Sequence, residues 1–190
     1  MKKRMLTILL LVSGVCAFAQ TTGKLPPMDK SPMDMSYYPA NYPLQKIQGK
    51  VTEPLVLRLI YSRPQVNGRK IFGELQEYGK LWRLGANEAT EIEFFKDVKI
   101  NNKKVKKGRY TLYCIPAQDK WTIIINRETD TWGNFAYDQT KDVVRADVPV
   151  TKNDVTEALT IFFDKSPTGA NMNFYWDGVK AVLPITFDSK

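Results

Sequence analysis

The side chains best suited to bind or transform a ligand are concentrated between two strand-like segments, in the block from Tyr61 to Thr90. The charged and asparagine residues of this block are Arg63, Asn67, Arg69, Lys70, Glu74, Glu77, Lys80, Arg83, Asn87 and Glu88. An arginine guanidinium binds carboxylates and phosphates through paired hydrogen bonds, and it stacks on aromatic rings. Connections between the strands of a rigid sheet often carry binding residues. The candidate ligand-binding residues are Arg63, Arg69, Trp82, Arg83, Asn87 and Glu88.

A structural explanation of the same residues is that Arg63 and Arg83 form ion pairs that tie a long loop to the sheet. Their partners would be Glu74 or Glu88. Such networks resemble functional sites at the level of sequence. Removing one partner of a buried ion pair lowers the free energy of unfolding by about 3 to 5 kcal/mol, whereas losing an exposed pair lowers it by under about 1 kcal/mol. We favour the structural explanation for Arg83 and Glu88. A ligand role for Arg63 and Asn87 is the second hypothesis.

The absence of histidine from all 190 residues excludes several kinds of chemistry. A Ser-His-Asp or Cys-His apparatus lacks its base, and the commonest ligand of zinc and non-haem iron is missing. Cys114 lies within a strand pattern, where a lone thiol is more often a small core residue than a nucleophile. The chain has no Walker A or dinucleotide-binding glycine motif. We therefore expect no catalytic residue, no metal and no cofactor.

The block is flanked by short alternating segments that predict β-strands. In Leu55–Tyr61 and Thr90–Phe95, apolar residues alternate with Arg58 or with glutamates, as in strands that bury one face. Trp121–Asn126 contains a tryptophan and three consecutive isoleucines and predicts a buried central strand. Further strands are predicted at Val98–Ile100, Arg109–Pro116, Val143–Val150, Leu159–Asp164, Met172–Trp176 and Ala181–Phe187. Eight to ten strands joined by short polar turns predict an all-β, antiparallel β-sandwich, jelly-roll-like.

Two short helices are the only ones predicted, at Phe72–Tyr78 and Asn134–Lys141. Residues 20–45 form a Pro/Met-rich arm with five prolines. The aromatic second half of the arm, Ser36–Pro43, is expected to lie in extended form against the domain, and the first half is expected to be disordered. Residues 46–190 then form a single β-sandwich domain, which is long enough to bury a core without disulfides.

The first nineteen residues predict a cleavable signal peptide: a cationic start, an apolar run from Leu6 to Val15, and the small-x-small box Ala17-Phe18-Ala19. The apolar run is about half of the roughly 20 residues that a membrane span needs. Cleavage would leave Gln20 first, with no integral membrane segment and a periplasmic or secreted location. A lipid anchor through Cys16 is the disfavoured alternative, because bulky Val15 precedes it.

Removal of the leader would reduce the net charge from +8 to +5. The basic residues are interspersed with acids, apart from the run Lys103–Lys107. Charge runs between two strand-like segments are typical of solvated turns, whereas nucleic-acid binding needs a basic stripe with aromatic platforms. We expect no nucleic-acid partner.

Several spaced motifs closely resemble the bacterial family called domain of unknown function 2911. They are Tyr61-Ser-Arg-Pro64, Gly68–Gly73, Tyr78-Gly79, Trp82–Thr90, Lys107–Tyr113, Trp121–Ile124, Thr131-Trp-Gly133 and Val179–Ile185. The similarity covers most of residues 34–187. It implies an exported β-sandwich protein of a family common in Bacteroidetes-like bacteria, and it assigns no catalytic residue.

Three functions are compatible with these features. The first is a non-enzymatic binding domain for a small polar ligand or glycan at the cell envelope, supported by the polar block together with Trp132 and Trp176; its mark would be an aromatic-lined concavity. The second is a structural or assembly protein of the envelope, marked by an exposed apolar patch. The third is a hydrolase with two acids about 5 to 9.5 Å apart, drawn from Glu74, Glu77 and Glu88. The sequence leaves the oligomeric state unknown.

Overall fold

The computed structural model describes residues 25–187. The predicted leader, its cleavage point at Gln20 and Cys16 lie outside this range. The elements are β1 (Met33–Tyr38), α1 (Tyr42–Ile47), β2 (Leu57–Ser62), β3 (Glu91–Phe94), β4 (Val98–Ile100), β5 (Lys103–Val105), β6 (Gly108–Pro116), β7 (Lys120–Asn126), a 3-10 helix (Gln139–Lys141), β8 (Asp142–Ser166) and β9 (Gly169–Phe187). Over this range, no helix is both long enough and apolar enough to span a membrane.

The described strands form one nine-stranded antiparallel sheet in the order β1-β2-β3-β6-β7-β8-β9-β4-β5. The prediction of an all-β, antiparallel protein is confirmed. The strand order refines the expected jelly-roll-like arrangement to a meander, in which most strands pair with their neighbours in sequence. Only the β4–β5 hairpin leaves this order, because β4 pairs with the end of β9 rather than with β3.

Alternation of side chains along the central strands produces the main core. Ile92 and Phe94 on β3 are buried, while Glu91 and Glu93 point to the outer face of the sheet, as predicted. Ile123 and Ile125 on β7 face the same core and are fully buried. Ile124 points the other way, into a small second cluster on the outer face. One face of the sheet therefore encloses the core, and the other carries the surface features.

Strands β8 and β9 are longer than the sequence predicted, because each joins two predicted strands. β8 pairs with β7 through its first half and with β9 through its second half. The polar stretch between Val150 and Leu159, which resembles a turn in sequence, is an exposed part of the same strand. Its register against β9 shifts between Lys152 and Thr160, so irregular pairing replaces a turn.

The helices lie elsewhere than predicted. Phe72–Tyr78 forms turns and one isolated bridge instead of a helix, because Phe72 is drawn into the core. Within the predicted Asn134–Lys141, only the 3-10 helix forms, and the Asp138 carboxylate at its start accepts a hydrogen bond from the Thr140 amide. The α-helix α1 lies at the end of the arm and was not predicted from sequence.

Four aromatic side chains form the centre of the core at one end of the sheet. Trp82 stacks on Trp176 with ring centroids 5.5 Å apart, and it meets Trp121 edge-on at 6.0 Å. Phe72 contacts all three tryptophans. Cys114 is also fully buried in this core, as predicted, and burial raises the pKa of its thiol. The aromatic cluster thus belongs to the folding core.

Candidate functional site

The predicted site residues do not converge on one point. Trp82 is 2% exposed and its indole nitrogen donates to the carbonyl of Gly85, so its role is structural. Arg69 donates to the carbonyls of Val66 and Gln65 within its own turn. Trp176 is likewise fully buried. These three side chains face the core or their own backbone.

Arg63 is structural, but its partners differ from those expected. Its Nη1 lies 3.0 Å from a carboxylate oxygen of Asp34, on β1 in the arm. Its Nε and Nη2 donate to the Leu159 carbonyl and the Thr160 hydroxyl of β8, at 3.0 and 2.9 Å. The guanidinium therefore joins the arm, the end of β2 and β8. Glu74, one of the expected partners, pairs instead with Lys70 in an exposed turn.

The expected pairing of Arg83 with an acid is also absent among the described residues. Arg83 is partly buried, and its Nε is fully enclosed without a hydrogen-bond partner in residues 25–187. Burial lowers the pKa of this guanidinium. Glu88 is exposed and has no ion pair with any residue that the structure describes.

The loop from Arg83 to Thr90 folds outward over the sheet. Leu84 and Asn87 adopt left-handed backbone conformations, with φ of 56° and 58°. The Thr90 amide and hydroxyl donate to the carbonyls of Arg83 and Leu84, which closes the base of the loop. Gly85 fits tightly against the backbone of Ser62, where an added Cβ would lie 3.3 Å from the Ser62 carbonyl oxygen. The outward turn thus depends on close backbone packing.

A second loop, Arg127–Gly133, pairs with the outward loop. The Ala89 amide donates to the carbonyl of Thr131 at 3.0 Å, and the Gly133 amide donates to that of Asn87 at 2.9 Å. Glu88 and Trp132 therefore face each other as an isolated antiparallel bridge. The paired loops stand beside the outer ends of β1 and β2.

A cavity of about 200 Å³ lies between these loops and the sheet. We call it the site cavity. Its lining residues are Met33, Ile60, Glu88, Ala89, Glu91, Asp130 and Thr131. Met33, Ile60 and Ala89 supply an apolar floor, and the three acids stand around it. Of the six predicted site residues, only Glu88 lines the site cavity.

The carboxylates of the site cavity differ in their partners. Glu91 accepts a 2.6 Å hydrogen bond from the Asp130 amide and lies 3.5 Å from Nε of Arg109. Arg109 also pairs with the Asp130 carboxylate. One guanidinium therefore holds two of the three acids. Glu88 is the carboxylate left without a cation among the described residues.

The arm closes one side of the site cavity. β1 pairs with β2 over its whole length, from Met33 opposite Ser62 to Tyr38 opposite Leu57. Of the segment Ser36–Pro43, which was expected to be extended, residues 36–38 lie in β1, whereas Tyr42 and Pro43 begin α1. Ahead of β1, the carboxylate of Asp29 accepts a 2.8 Å hydrogen bond from the Asn87 side chain. Asn87 therefore positions the arm.

One exposed aromatic residue, Trp132, stands on the second loop, and another, Phe135, follows it. The side chain of Trp132 is 62% exposed and that of Phe135 is 87% exposed. The Phe135 ring covers Gly133, where an added Cβ would lie 2.9 Å from a ring carbon. Neither ring lines the site cavity. The aromatic-lined concavity expected of the binding hypothesis is therefore not formed by these two rings.

Sequence reasoning missed most of the site cavity. Met33 lies in the first half of the arm, which was expected to be disordered, but the structure places it in β1. Ile60 resembled an ordinary strand residue, and Glu91 resembled an ordinary outward-facing one. Nothing in the Thr131-Trp-Gly133 motif showed that it would pair with Asn87 and Glu88. Three larger depressions, of about 580, 460 and 240 Å³, contain no residue from the block Tyr61–Thr90.

The fold and the site cavity define an all-antiparallel β domain with a small, acid-lined cavity on its outer face. The chain belongs to the family described as "Protein of unknown function (DUF2911)", whose model matches residues 42–185. The arm through Asn41 precedes the matched region. No curated protein and no solved structure matches the chain. Within residues 25–187, no cluster of three or more Cys, Asp or Glu side chains is placed to hold a metal ion.

Proposed function

We propose that the protein is an exported, non-enzymatic binding domain that takes a small ligand into the site cavity. The observation that carries this proposal is the cavity itself. Three separate segments, the arm, the outward loop and the second loop, meet around an apolar floor with polar groups at its margin. Binding sites typically combine an apolar lining with a few placed polar groups.

The size and lining of the site cavity favour a small ligand over a glycan. Its volume of about 200 Å³ is below the range of about 300 to 1,000 Å³ that is usual for drug-sized ligands. Its floor is aliphatic, while the nearest exposed rings, Trp132 and Phe135, stand outside it. We therefore retain the small-ligand form of the binding hypothesis and give less weight to the glycan form.

A carboxylate-dependent hydrolase has less support. Of Glu74, Glu77 and Glu88, only Glu88 lines the site cavity. Glu74 pairs with Lys70 in an exposed turn. The other acids of the cavity, Glu91 and Asp130, are both bound to Arg109. The acids that suggested a hydrolase therefore do not include two carboxylates that face each other across a cleft.

Export is the part of the proposal that rests on the leader sequence alone. The cationic start, the apolar run and the Ala17-Phe18-Ala19 box are the features of a cleavable signal. Intact mass of the protein from an exporting host tests it. A chain that begins at Gln20 supports export, whereas retention of residues 1–19 or a diacylglycerol mass on Cys16 contradicts it.

Methionine methyl NMR tests the binding site directly. The chain from residue 20 onward contains only four methionines, Met28, Met33, Met35 and Met172. Met33 lines the site cavity, Met172 is buried in the core, and Met28 is 92% exposed. In a screen of small fragments, we expect binders that shift the Met33 methyl signal and leave those of Met28 and Met172 in place.

Two matched variants make this test specific. Met33→Phe places a ring in the site cavity, whereas Met35→Phe changes the next outward residue of the same strand, which is not part of the lining. The first variant should abolish binding and the second should preserve it. If both variants bind fragments as the parent does, or if no fragment shifts the Met33 signal, the binding proposal is wrong.

A further inference from the structure

We infer that the ligand of the site cavity is an organic cation, an alkylammonium whose apolar body lies on Met33, Ile60 and Ala89. This inference rests on the proposed binding function and specifies its ligand class. Among the described residues that line the site cavity, none is lysine or arginine, and three are acids. The cavity thus combines an aliphatic floor with a negatively charged margin.

The acids around the site cavity outnumber the cations that pair with them, so the site can bind a further positive charge. Arg109 is the single guanidinium that the structure places against these acids, and it is shared by Glu91 and Asp130. Three carboxylates against one cation leave the site negative, with Glu88 unpaired in the described part of the chain. An ammonium group at Glu88 would supply the missing positive charge, because opposite charges attract strongly at this distance even near a surface.

The hydrogen-bond inventory disfavours an anion in the same place. An anion would need free donors, but the Ala89 amide is bonded to the carbonyl of Thr131 and the Asp130 amide to Glu91. The Thr131 and Tyr113 hydroxyls lie 3.3 Å apart and share one hydrogen bond. The carboxylate oxygens at the margin of the site accept hydrogen bonds from an ammonium group.

Three probes of similar size separate the effect of ligand charge on binding from the effect of ligand shape: pentylammonium, 1-pentanol and pentanoate. They have similar length and volume but carry a positive charge, no charge and a negative charge. Titration of each probe into the purified protein, followed by the Met33 methyl signal, should give saturable binding of pentylammonium. The pentanol affinity should be at least roughly fivefold weaker, and pentanoate should not bind.

Variants of two exposed acids test the role of the unpaired carboxylate. Glu88→Gln keeps the size of the side chain and removes its charge, and it should weaken pentylammonium binding roughly fivefold while leaving pentanol binding unchanged. Glu77→Gln, in the exposed turn outside the cavity, is the matched control and should bind as the parent does.

The outcomes distinguish the two proposals. If pentanol or pentanoate shifts Met33 as strongly as pentylammonium does, or if Glu88→Gln leaves pentylammonium binding unchanged, the cation inference is wrong while the binding proposal stands. If no probe shifts Met33, the cation inference is wrong. If the fragment screen also leaves Met33 unmoved, the binding proposal fails with it.

Discussion

Asp34 and Arg63 form an ion pair, with 3.0 Å between the carboxylate Oδ2 and the guanidinium Nη1. The contact joins the arm, which precedes the region matched by the family model, to the end of β2. It places Met33, the neighbour of Asp34, at the side of the site cavity. The arm therefore contributes both to the stability of the domain and to its candidate site.

Arg63 should be the most important arginine of the Tyr61–Thr90 block for stability. Arg63→Ala removes the pair with Asp34 and two hydrogen bonds to β8, and we expect a loss of about 2 to 3 kcal/mol. Arg63→Lys should recover only part of it, because an ammonium cannot reproduce three directed contacts. Arg69→Ala, which loses only contacts within its own turn, should cost about 1 kcal/mol or less. Urea midpoints measure all three; equal midpoints for Arg63→Ala and Arg69→Ala would contradict the assignment.

Arg83 and Glu88 should contribute little to stability, in contrast to the expectation from sequence. Because no described acid pairs with Arg83, Glu88→Ala should cost under about 1 kcal/mol. Arg83→Met keeps the aliphatic stem and removes an enclosed, unpartnered Nε, so we expect an unchanged or slightly higher unfolding free energy. A double-mutant cycle should give no coupling between the two residues. A coupling above about 1 kcal/mol would show a pair that the structure does not contain.

Removal of the arm should weaken the domain and its site cavity together. Deletion of residues 20–41 takes away β1, which pairs with β2 over six residues, and exposes the edge of β2. We expect a lower melting temperature, loss of fragment binding, and concentration-dependent association through the free edge. Calorimetry and size-exclusion chromatography measure these effects. Unchanged binding of the fragments by the truncated protein would show that the arm is not part of the site.

Asp97 should make part of the stability dependent on pH in the acid range. Its pKa is lowered by a hydrogen bond from the Lys107 amide, and further by Lys104 and Lys106. A lowered pKa in the folded state contributes stability that is present above the unfolded value, near 3.8, and is lost as the pH falls toward the folded value. Asp97→Asn should therefore be less stable than the parent protein at neutral pH.

The comparison of Asp97→Asn with the parent protein should change with pH. Their stability difference should shrink as the pH falls below about 3.8. Asp154→Asn, at an exposed position of β8, is the control and should follow the parent curve. A difference between Asp97→Asn and the parent that stays constant from neutral to acid pH would contradict the role of Asp97.

The contacts of Asp97 also explain the basic run Lys103–Lys107. Lys104 and Lys106 lie 3.0 and 3.1 Å from one carboxylate oxygen of Asp97. The sequence predicted a solvated turn here, whereas the structure forms the short strand β5 over Lys103–Val105, with Lys103 and Lys104 exposed. The sequence did not show that the carboxylate of Asp97, in the preceding segment, contacts two of these lysines.

Periodicity in the sequence was sufficient for the strands. The alternation in Thr90–Phe95 places Ile92 and Phe94 inward because side chains of a strand point to opposite faces in turn. The three consecutive isoleucines of Trp121–Asn126 predicted a strand buried on both faces, and Ile123, Ile124 and Ile125 of β7 are all buried. One segment does not follow this periodicity. Thr151–Glu157 is polar enough to resemble a turn, yet it continues β8, because an exposed strand needs no apolar alternation.

The site could not be predicted to the same extent, because its residues are distant in sequence. Met33, Ile60, Glu88 and Asp130 come together only after β1 pairs with β2 and the two outward loops pair with each other. Likewise, the partner of Arg63 is Asp34, from the arm, rather than a nearby glutamate. Local composition shows which side chains carry charge, but only the pairing of strands decides which charges meet.

The sequence by itself determined the all-β class, the buried faces of the central strands, the core position of Cys114, the family, and the absence of histidine chemistry. These depend on residue type and on spacing of two residues, which are local properties. The tertiary structure alone decided that Trp82 belongs to the core, that Arg83 stands without an acid, and that Glu88 lines a cavity with Met33. Those outcomes depend on which segments pack together, and packing is a property of the whole chain.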